Sequence, residues 1–205
     1  GAPPSFKRAK FVAFGMTRRP GRSAANDPGL NALLNAKTAA VCMVGKSWDF
    51  HVDVALGISR TENVDMIAES VEHAKQRCGE VMFDAEHFFD GYKANPQYAL
   101  DCALAAKKAG ARWVVLCDTN GGTLPHEIER IVGEVSARIP GSNLGIHCHN
   151  DTENAVANSL AAIRAGFGIG ICQVAIAARN AMLERILPDG FAFDLPLWIV
   201  MHEGL

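Results

Sequence analysis

Two kinds of apolar patterning alternate along the chain. Short unbroken apolar runs occur at Lys10–Gly15, Ala39–Gly45, Val81–Glu86, Trp113–Asp118 and Leu144–His149, each followed by a polar or glycine-bearing turn. Unbroken runs of this length predict strands buried on both faces, as in a parallel sheet. Between them, apolar residues recur every three or four positions, which predicts helices over 61–78, 95–109, 124–138 and 152–165. Pro125 falls in a first helical turn, and Gly110 and Gly166 stand where helices should stop.

Strand and helix thus alternate five times, at about 30 residues per unit, which predicts an α/β fold with a parallel sheet and outer helices. A (β/α) barrel and a doubly wound sheet both satisfy this order. No GxGxxG follows the first strand, which lowers the weight of the dinucleotide-binding version. A complete barrel takes about 250 residues, with about 200 at the low end. Five firm strands, and a sixth candidate at Gly168–Ala175, fall short of eight in 205 residues. The expectation is one incomplete barrel domain over 1–205, with an N-terminal extension at 1–9 and a divergent segment at 179–205.

Composition narrows the partners. The chain is 49% hydrophobic and 20% charged, with a formal net charge of −2, so no basic footprint for nucleic acid or a membrane surface is present. No apolar run reaches the roughly 18 residues of a membrane span, and Gly1–Ser5 carries no charged-then-apolar leader pattern; a cytoplasmic enzyme is the expectation. The six cysteines form no CxxC pair and sit mostly inside apolar runs, as buried thiols do in a reducing compartment.

Polar side chains collect where each run ends: Thr17-Arg18-Arg19, Lys46-Ser47-Trp48-Asp49, Asp84-Ala85-Glu86-His87, Asp118-Thr119-Asn120 and His147-Cys148-His149-Asn150-Asp151. Parallel α/β enzymes build their sites at this edge. His147 and His149, two apart on a strand, leave from one face and form half of a divalent-metal site, or else serve as hydrogen-bonding core histidines. Asp84 and Glu86 share the same spacing and suit substrate orientation or proton transfer, or alternatively capping and a salt bridge to the next strand end. Thr119 suits a carboxylate or keto oxygen, while Asp118 and Asn120 read equally as turn formers. Lys46, Arg18 and Arg19 suit an anion such as phosphate, or are solvated loop charges.

The runs Phe11–Gly21, Gly45–Trp48, Asp84–Pro96, Cys117–Pro125 and His147–Asp151 closely resemble the citramalate synthases, within the wider group of 2-isopropylmalate and homocitrate synthases. The resemblance spans roughly residues 7–166. It implies a metal-dependent TIM barrel that condenses acetyl-CoA, as cosubstrate, with a 2-keto acid, pyruvate in the citramalate branch. It implies a divalent ion (Zn, Mn or Mg) held by His147 and His149, Glu86 lining the acceptor pocket, and Thr119 on the keto-acid carboxylate. Arg179-Asn180-Ala181 resembles the remnant of a loop whose Asn sits at the metal, which makes Asn180 a third candidate ligand.

Two features depart from that family. Its first-strand Asp-Thr-Thr-Leu-Arg-Asp-Gly type motif, source of a metal-binding Asp and an Arg, has no counterpart, and the chain starts near the expected third strand, covering about strands 3 to 7 or 8. Open sheet edges lead to the expectation of a homo-oligomer. Three readings follow: an acyltransferase of this family, a degenerate barrel that only binds or assembles, and a related metal-dependent lyase or aldolase.

Overall fold

The structure, a computed structural model, describes residues 10–167. Five strands, β1 (Val12–Met16), β2 (Ala40–Lys46), β3 (Glu80–Glu86), β4 (Trp113–Asp118) and β5 (Leu144–Cys148), form one sheet in that order, with every pairing parallel. Sequential order decides between the two candidate architectures. A doubly wound sheet reverses direction at a switch point, whereas a barrel adds each strand beside the last. The sheet is an arc of a barrel.

Its two faces differ. Val41 and Met43, Val81, Phe83 and Ala85, Val114 and Leu116, and Leu144 point to one side and are buried with helix residues such as Ile67, Val71, Ala99, Ala103, Ile128 and Ile131 in a single core. The alternate residues Cys42, Val44, Met82, Asp84, Val115 and His147 point to the other side and are at most partly covered, while Phe14 and Met16 on β1 are 66% and 59% exposed. Burial on both faces, expected from the unbroken apolar runs, therefore holds throughout on the helix side, whereas on the other face Ala40 and Cys117 are buried and their neighbours are partly covered or exposed. The physical reason is closure: this second face lines the interior only when a barrel is completed around it.

Local chemistry accounts for the helices. Asp27 caps α1 (Pro28–Asn35) by accepting from Leu30 N–H at 2.8 Å, with Pro28 at the first position. After β2 a three-residue turn α2 (Asp49–His51) runs into a π-turn at Val52–Leu56 and stops at Gly57 in the left-handed conformation. Ser59 caps α3 (Arg60–Lys75). Helix α4 (Phe88–Ala94) follows β3 directly, and Asn95 with Pro96 starts α5 (Pro96–Lys108). In α6 (Pro125–Ser136) Glu127 reaches back to accept from Leu124 N–H at 2.9 Å. Helix α7 (Ala155–Ala162) continues as a π-turn over Ile163–Phe167.

Four of these helices match the expected ones to within a few residues; α1 and α4 escaped the periodicity because each is only seven or eight residues long. Gly110 closes α5 at φ +103° as expected. Gly166 lies within the π-turn, where a Cβ would stand 2.6 Å from Ser136 Cβ on α6, so close packing there favours glycine. The candidate strand at 168–175, Asn180 and the segments 1–9 and 179–205 lie outside the described residues.

Candidate active site

All five strands point their C-terminal ends the same way, so the polar runs that follow them share one rim. Which side chains turn to the open face is set by strand parity. On β3 it is Asp84 and Glu86, on β4 Cys117 and then Thr119, on β5 His147 and then His149. Asp118 and Cys148, the residues between, turn toward the helices.

His147 and His149 come together with ring centroids 5.0 Å apart. His147 Nδ1 lies 3.9 Å from Asp84 Oδ2, and His149 Nδ1 lies 3.9 Å from Asp151 Oδ2. The ligand atoms of Asp84, Cys117 and His147 all fall within 4.8 Å of one another. The Asp84 side chain is only 13% exposed. Among the described residues its carboxylate accepts one hydrogen bond, from Cys42 Sγ at 3.2 Å. Burial, then the charge of Asp84, pushes the Cys42 and Cys117 thiols well above their usual range. Asp84, Cys42 and Cys117 thus crowd together on the open face beside His147.

Glu86 does not stand free. Lys46 Nζ lies 2.5 Å from Glu86 Oε2, both side chains about a quarter exposed or less. Ser47 fixes the Glu86 backbone by donating from Oγ to its carbonyl at 2.7 Å and from N–H at 3.2 Å. Thr119 Oγ1 accepts from His87 N–H at 2.8 Å, which leaves its own hydroxyl proton to donate elsewhere. His87 holds a left-handed backbone, φ +54°, as the chain turns from β3 into α4.

Of the cations proposed for an anion, Lys46 is taken by Glu86 and Arg18 by Glu69, Nε to Oε2 at 2.6 Å, while Arg18 itself is buried. Only Arg19 keeps an exposed side chain. A cavity of about 270 Å³ opens between the ends of β1 and β2, lined by Thr17, Arg18, Lys46, Asn63, Met66 and Glu86.

Two groups have partners that the sequence does not show. One is a rim cluster of Trp48, Phe50, His51 and His87, with the two imidazoles edge-on at 4.4 Å and Trp48 4.7 Å from His51. Trp48 and His87 both stand in the strand-end runs of the sequence, but nothing there places them together. The other is Asp118, fully buried: its Oδ1 accepts from Thr123 Oγ1 at 2.7 Å, and its Oδ2 from Asn158 Nδ2 at 3.3 Å, tying the β4 loop to α7. It is a structural anchor, and its carbonyl also accepts from Gly121 N–H at 3.1 Å, closing the turn its motif offered.

The HMGL-like family model matches residues 12–177. The chain belongs to the HMGL-like family. Within it, the chain is 57% identical over 162 residues to the (R)-citramalate synthase of Aquifex aeolicus, covering 79% of this chain and 31% of that one. It is 51% identical to the (R)-citramalate synthase of Geobacter sulfurreducens, over 78% of this chain and 30% of the relative. A probable 2-isopropylmalate synthase of Methanopyrus kandleri is 34% identical over 77% of this chain. This chain therefore spans less than a third of the two citramalate synthases. In fold the chain is similar to the HMG-CoA lyase of Bacillus subtilis, at a TM-score of 0.66 and 17% identity over 80% of this chain and 53% of that one. No helix among the described residues of this HMGL-like chain is long and apolar enough to cross a membrane.

Proposed function

We propose that this chain supplies part of the catalytic barrel of a citramalate-synthase-type acyltransferase, which joins the acetyl group of acetyl-CoA to the carbonyl carbon of pyruvate. The observation that carries the reading is the meeting of carboxylates, a hydroxyl and paired imidazoles on one open face, in a chain 57% identical to a protein named (R)-citramalate synthase. In the reaction, the methyl carbon of acetyl-CoA gives up a proton and bonds to the keto carbon, whose oxygen takes up a proton. Water then cleaves the thioester and releases CoA as a thiol.

The residues present fit a divalent cation: two imidazoles lie side by side, and the buried Asp84 carboxylate has no cationic hydrogen-bond partner among the described residues. His147 and His149 would hold it, and when bound it would polarise the keto oxygen as a Lewis acid. Thr119 donates its free hydroxyl proton to the keto-acid carboxylate while His87 N–H fixes its oxygen. Glu86, held by Lys46 and Ser47, forms the acceptor wall. The polarity of this wall orients a short 2-keto acid, whose carboxylate and carbonyl both need partners.

The test measures free CoA with a thiol reagent in the full-length protein. Thiol should appear only when acetyl-CoA, pyruvate and a divalent metal are all present, and His147→Ala should abolish it. No thiol release with metal added, or equal release without pyruvate, sinks the proposal.

A further inference from the structure

The ends of β2 and β3 meet in one ion pair, and the chain fixes its placement from several sides. Lys46 and Glu86 are direct register partners on these parallel strands, and strand parity sends both side chains to the open face. Asn63 on α3, 1% exposed, donates from Nδ2 to the Lys46 carbonyl at 2.8 Å and to Tyr98 Oη at 2.9 Å. Ser47 donates to the Glu86 carbonyl through both its N–H and its hydroxyl. With both backbones held, Lys46 Nζ meets Glu86 Oε2 at 2.5 Å, the side chains being 20% and 25% exposed. Among the described residues neither charge has a second ion-pair partner. Lys46 is also the one lysine or arginine among the open-face positions of the five strands, where Asp84 and Glu86 supply the carboxylates at the rim end. The pair lines the cavity of about 270 Å³ between the ends of β1 and β2, so the space beside it is open to a small ligand.

We propose that Lys46 is the charge-balancing residue of the acceptor site: by pairing with Glu86 it cancels a carboxylate that an entering keto-acid anion would otherwise face. The inference rests on the reading that this face takes a 2-keto acid, and adds which side chain lets the anion in. A wall of Asp84 and an unpaired Glu86 would repel a second carboxylate. At an effective dielectric of about 20, one unit charge roughly 8–10 Å away changes the binding of another by about tenfold or more. A half-buried pair feels less screening by salt than an exposed one, so this balance persists at ordinary ionic strength. Lys46 need not touch the keto acid. It is a positioning residue that acts through Glu86, and Asn63 supports it by tying the last residue of β2 to α3. The contrasting role is the one its place in the sequence offered, a direct contact with an anion. The two roles differ in what removing Glu86 as well should do. A balancing lysine is no longer needed once its carboxylate is gone, whereas a direct contact stays lost.

The experiment measures pyruvate binding to the full-length protein with divalent metal present, by titration calorimetry, in a double-mutant cycle over Lys46 and Glu86. Lys46→Met keeps the apolar stem and loses the charge, and it should weaken pyruvate by about tenfold or more. Lys46→Arg should stay near the parent, and Glu86→Gln should bind pyruvate at least as tightly as the parent. The double variant Lys46→Met with Glu86→Gln carries neither charge and should return to within about threefold of the parent, a recovery that a merely structural lysine would not give. Added salt should lessen the Lys46→Met defect and leave the double variant unchanged. Circular dichroism establishes that each variant is folded, and Lys46→Gln, with the same expected defect, replaces Lys46→Met if that variant is not. Parent-like binding by Lys46→Met overturns the proposal. So does a double variant still weakened by about tenfold, which would instead assign Lys46 to direct contact with the anion. A parent protein that binds no pyruvate overturns the reading of the site as well, and pyruvate bound without release of free CoA overturns the proposed reaction alone.

Discussion

Replacing Asp118 separates two meanings of a buried carboxylate. The residue is 0% exposed, and three donors converge on it: Thr123 Oγ1 at 2.7 Å, Asn158 Nδ2 at 3.3 Å and Thr123 N–H at 3.4 Å. A hydrogen bond to a charged acceptor contributes roughly 1.5–3 kcal/mol, and an orphaned buried donor costs about 1–3 kcal/mol. The short bond to Thr123 carries most of this, the longer bond to Asn158 less, because Asn158 also donates to Thr123 C=O at 2.8 Å. Removing the charge recovers some desolvation energy. The net expectation for Asp118→Ala is a loss of about 2–4 kcal/mol, a large share of the roughly 5–15 kcal/mol typical of a domain. Asp118→Asn should cost only about 1 kcal/mol, because the Thr123 hydroxyl can rotate to accept from the new amide while Oδ still faces Asn158. Urea unfolding followed by far-ultraviolet circular dichroism measures both. If Asp118→Ala costs under 1 kcal/mol, or the Asn variant costs as much as the Ala variant, then hydrogen-bond satisfaction is not what holds this corner.

Gly91→Ala should destabilise by about 1–3 kcal/mol despite the gain in helix propensity, because the new Cβ meets the Ser47 carbonyl and lies 2.9 Å from Trp48 Cα; a more stable variant in chemical denaturation would show that α4 does not sit this close to the β2 loop. His51 is held below its usual range by burial first, then by His87 and Lys46, against opposing pulls from Glu86 and Asp90, and its Nδ1 is buried without a hydrogen-bond partner among the described residues. A depressed folded value means that this stability is present above the unfolded pKa, about 6.5, and is lost as pH falls through the folded value. His51→Phe should therefore flatten the decline in urea midpoint between pH 7.5 and pH 5.5, and an unchanged decline would assign it to other groups. Thr119→Val should raise the KM for pyruvate at least about tenfold while Thr119→Ser stays near the parent; equal KM values for Val and Thr remove the hydroxyl from the acceptor site.

The fold was legible because burial writes itself into the sequence. Runs such as Val81–Glu86 and Trp113–Asp118 can only be strands under helices, and their spacing required a parallel sheet. Between barrel and doubly wound sheet, local patterning is silent, since the difference lies in which strand pairs with which, and only the order β1-β2-β3-β4-β5 settles it. Parity also made part of the site legible: i, i+2 spacing put Asp84 with Glu86 and His147 with His149. Partnerships across strands were not legible. Lys46 offered itself to an anion and instead pairs with Glu86, its direct register partner on the neighbouring strand. The rim imidazoles His51 and His87, far apart in sequence, meet only because β2 and β3 are neighbours.

The triplet Cys117-Asp118-Thr119 shows what parity does to a motif read as a single string. Three consecutive residues alternate between open face, helix side and open face. Cys117 meets His147 across the β4–β5 register, Asp118 turns away to bind Thr123 and Asn158, and Thr119 comes back to hold His87 N–H. The two outer residues therefore face the open side, and the middle one answers to stability. It follows that the middle residue can tune the outer two only through the backbone, since His149 N–H and Gly121 N–H both donate to the Asp118 carbonyl. A side-chain change at Asp118 that leaves this carbonyl in place should lower stability while preserving the spacing of the two histidines. A change at Cys117 or Thr119 should alter the site while leaving the sheet intact. One strand end thus separates folding from chemistry at single-residue resolution, and the two classes of variant are distinguishable in the same denaturation and binding measurements.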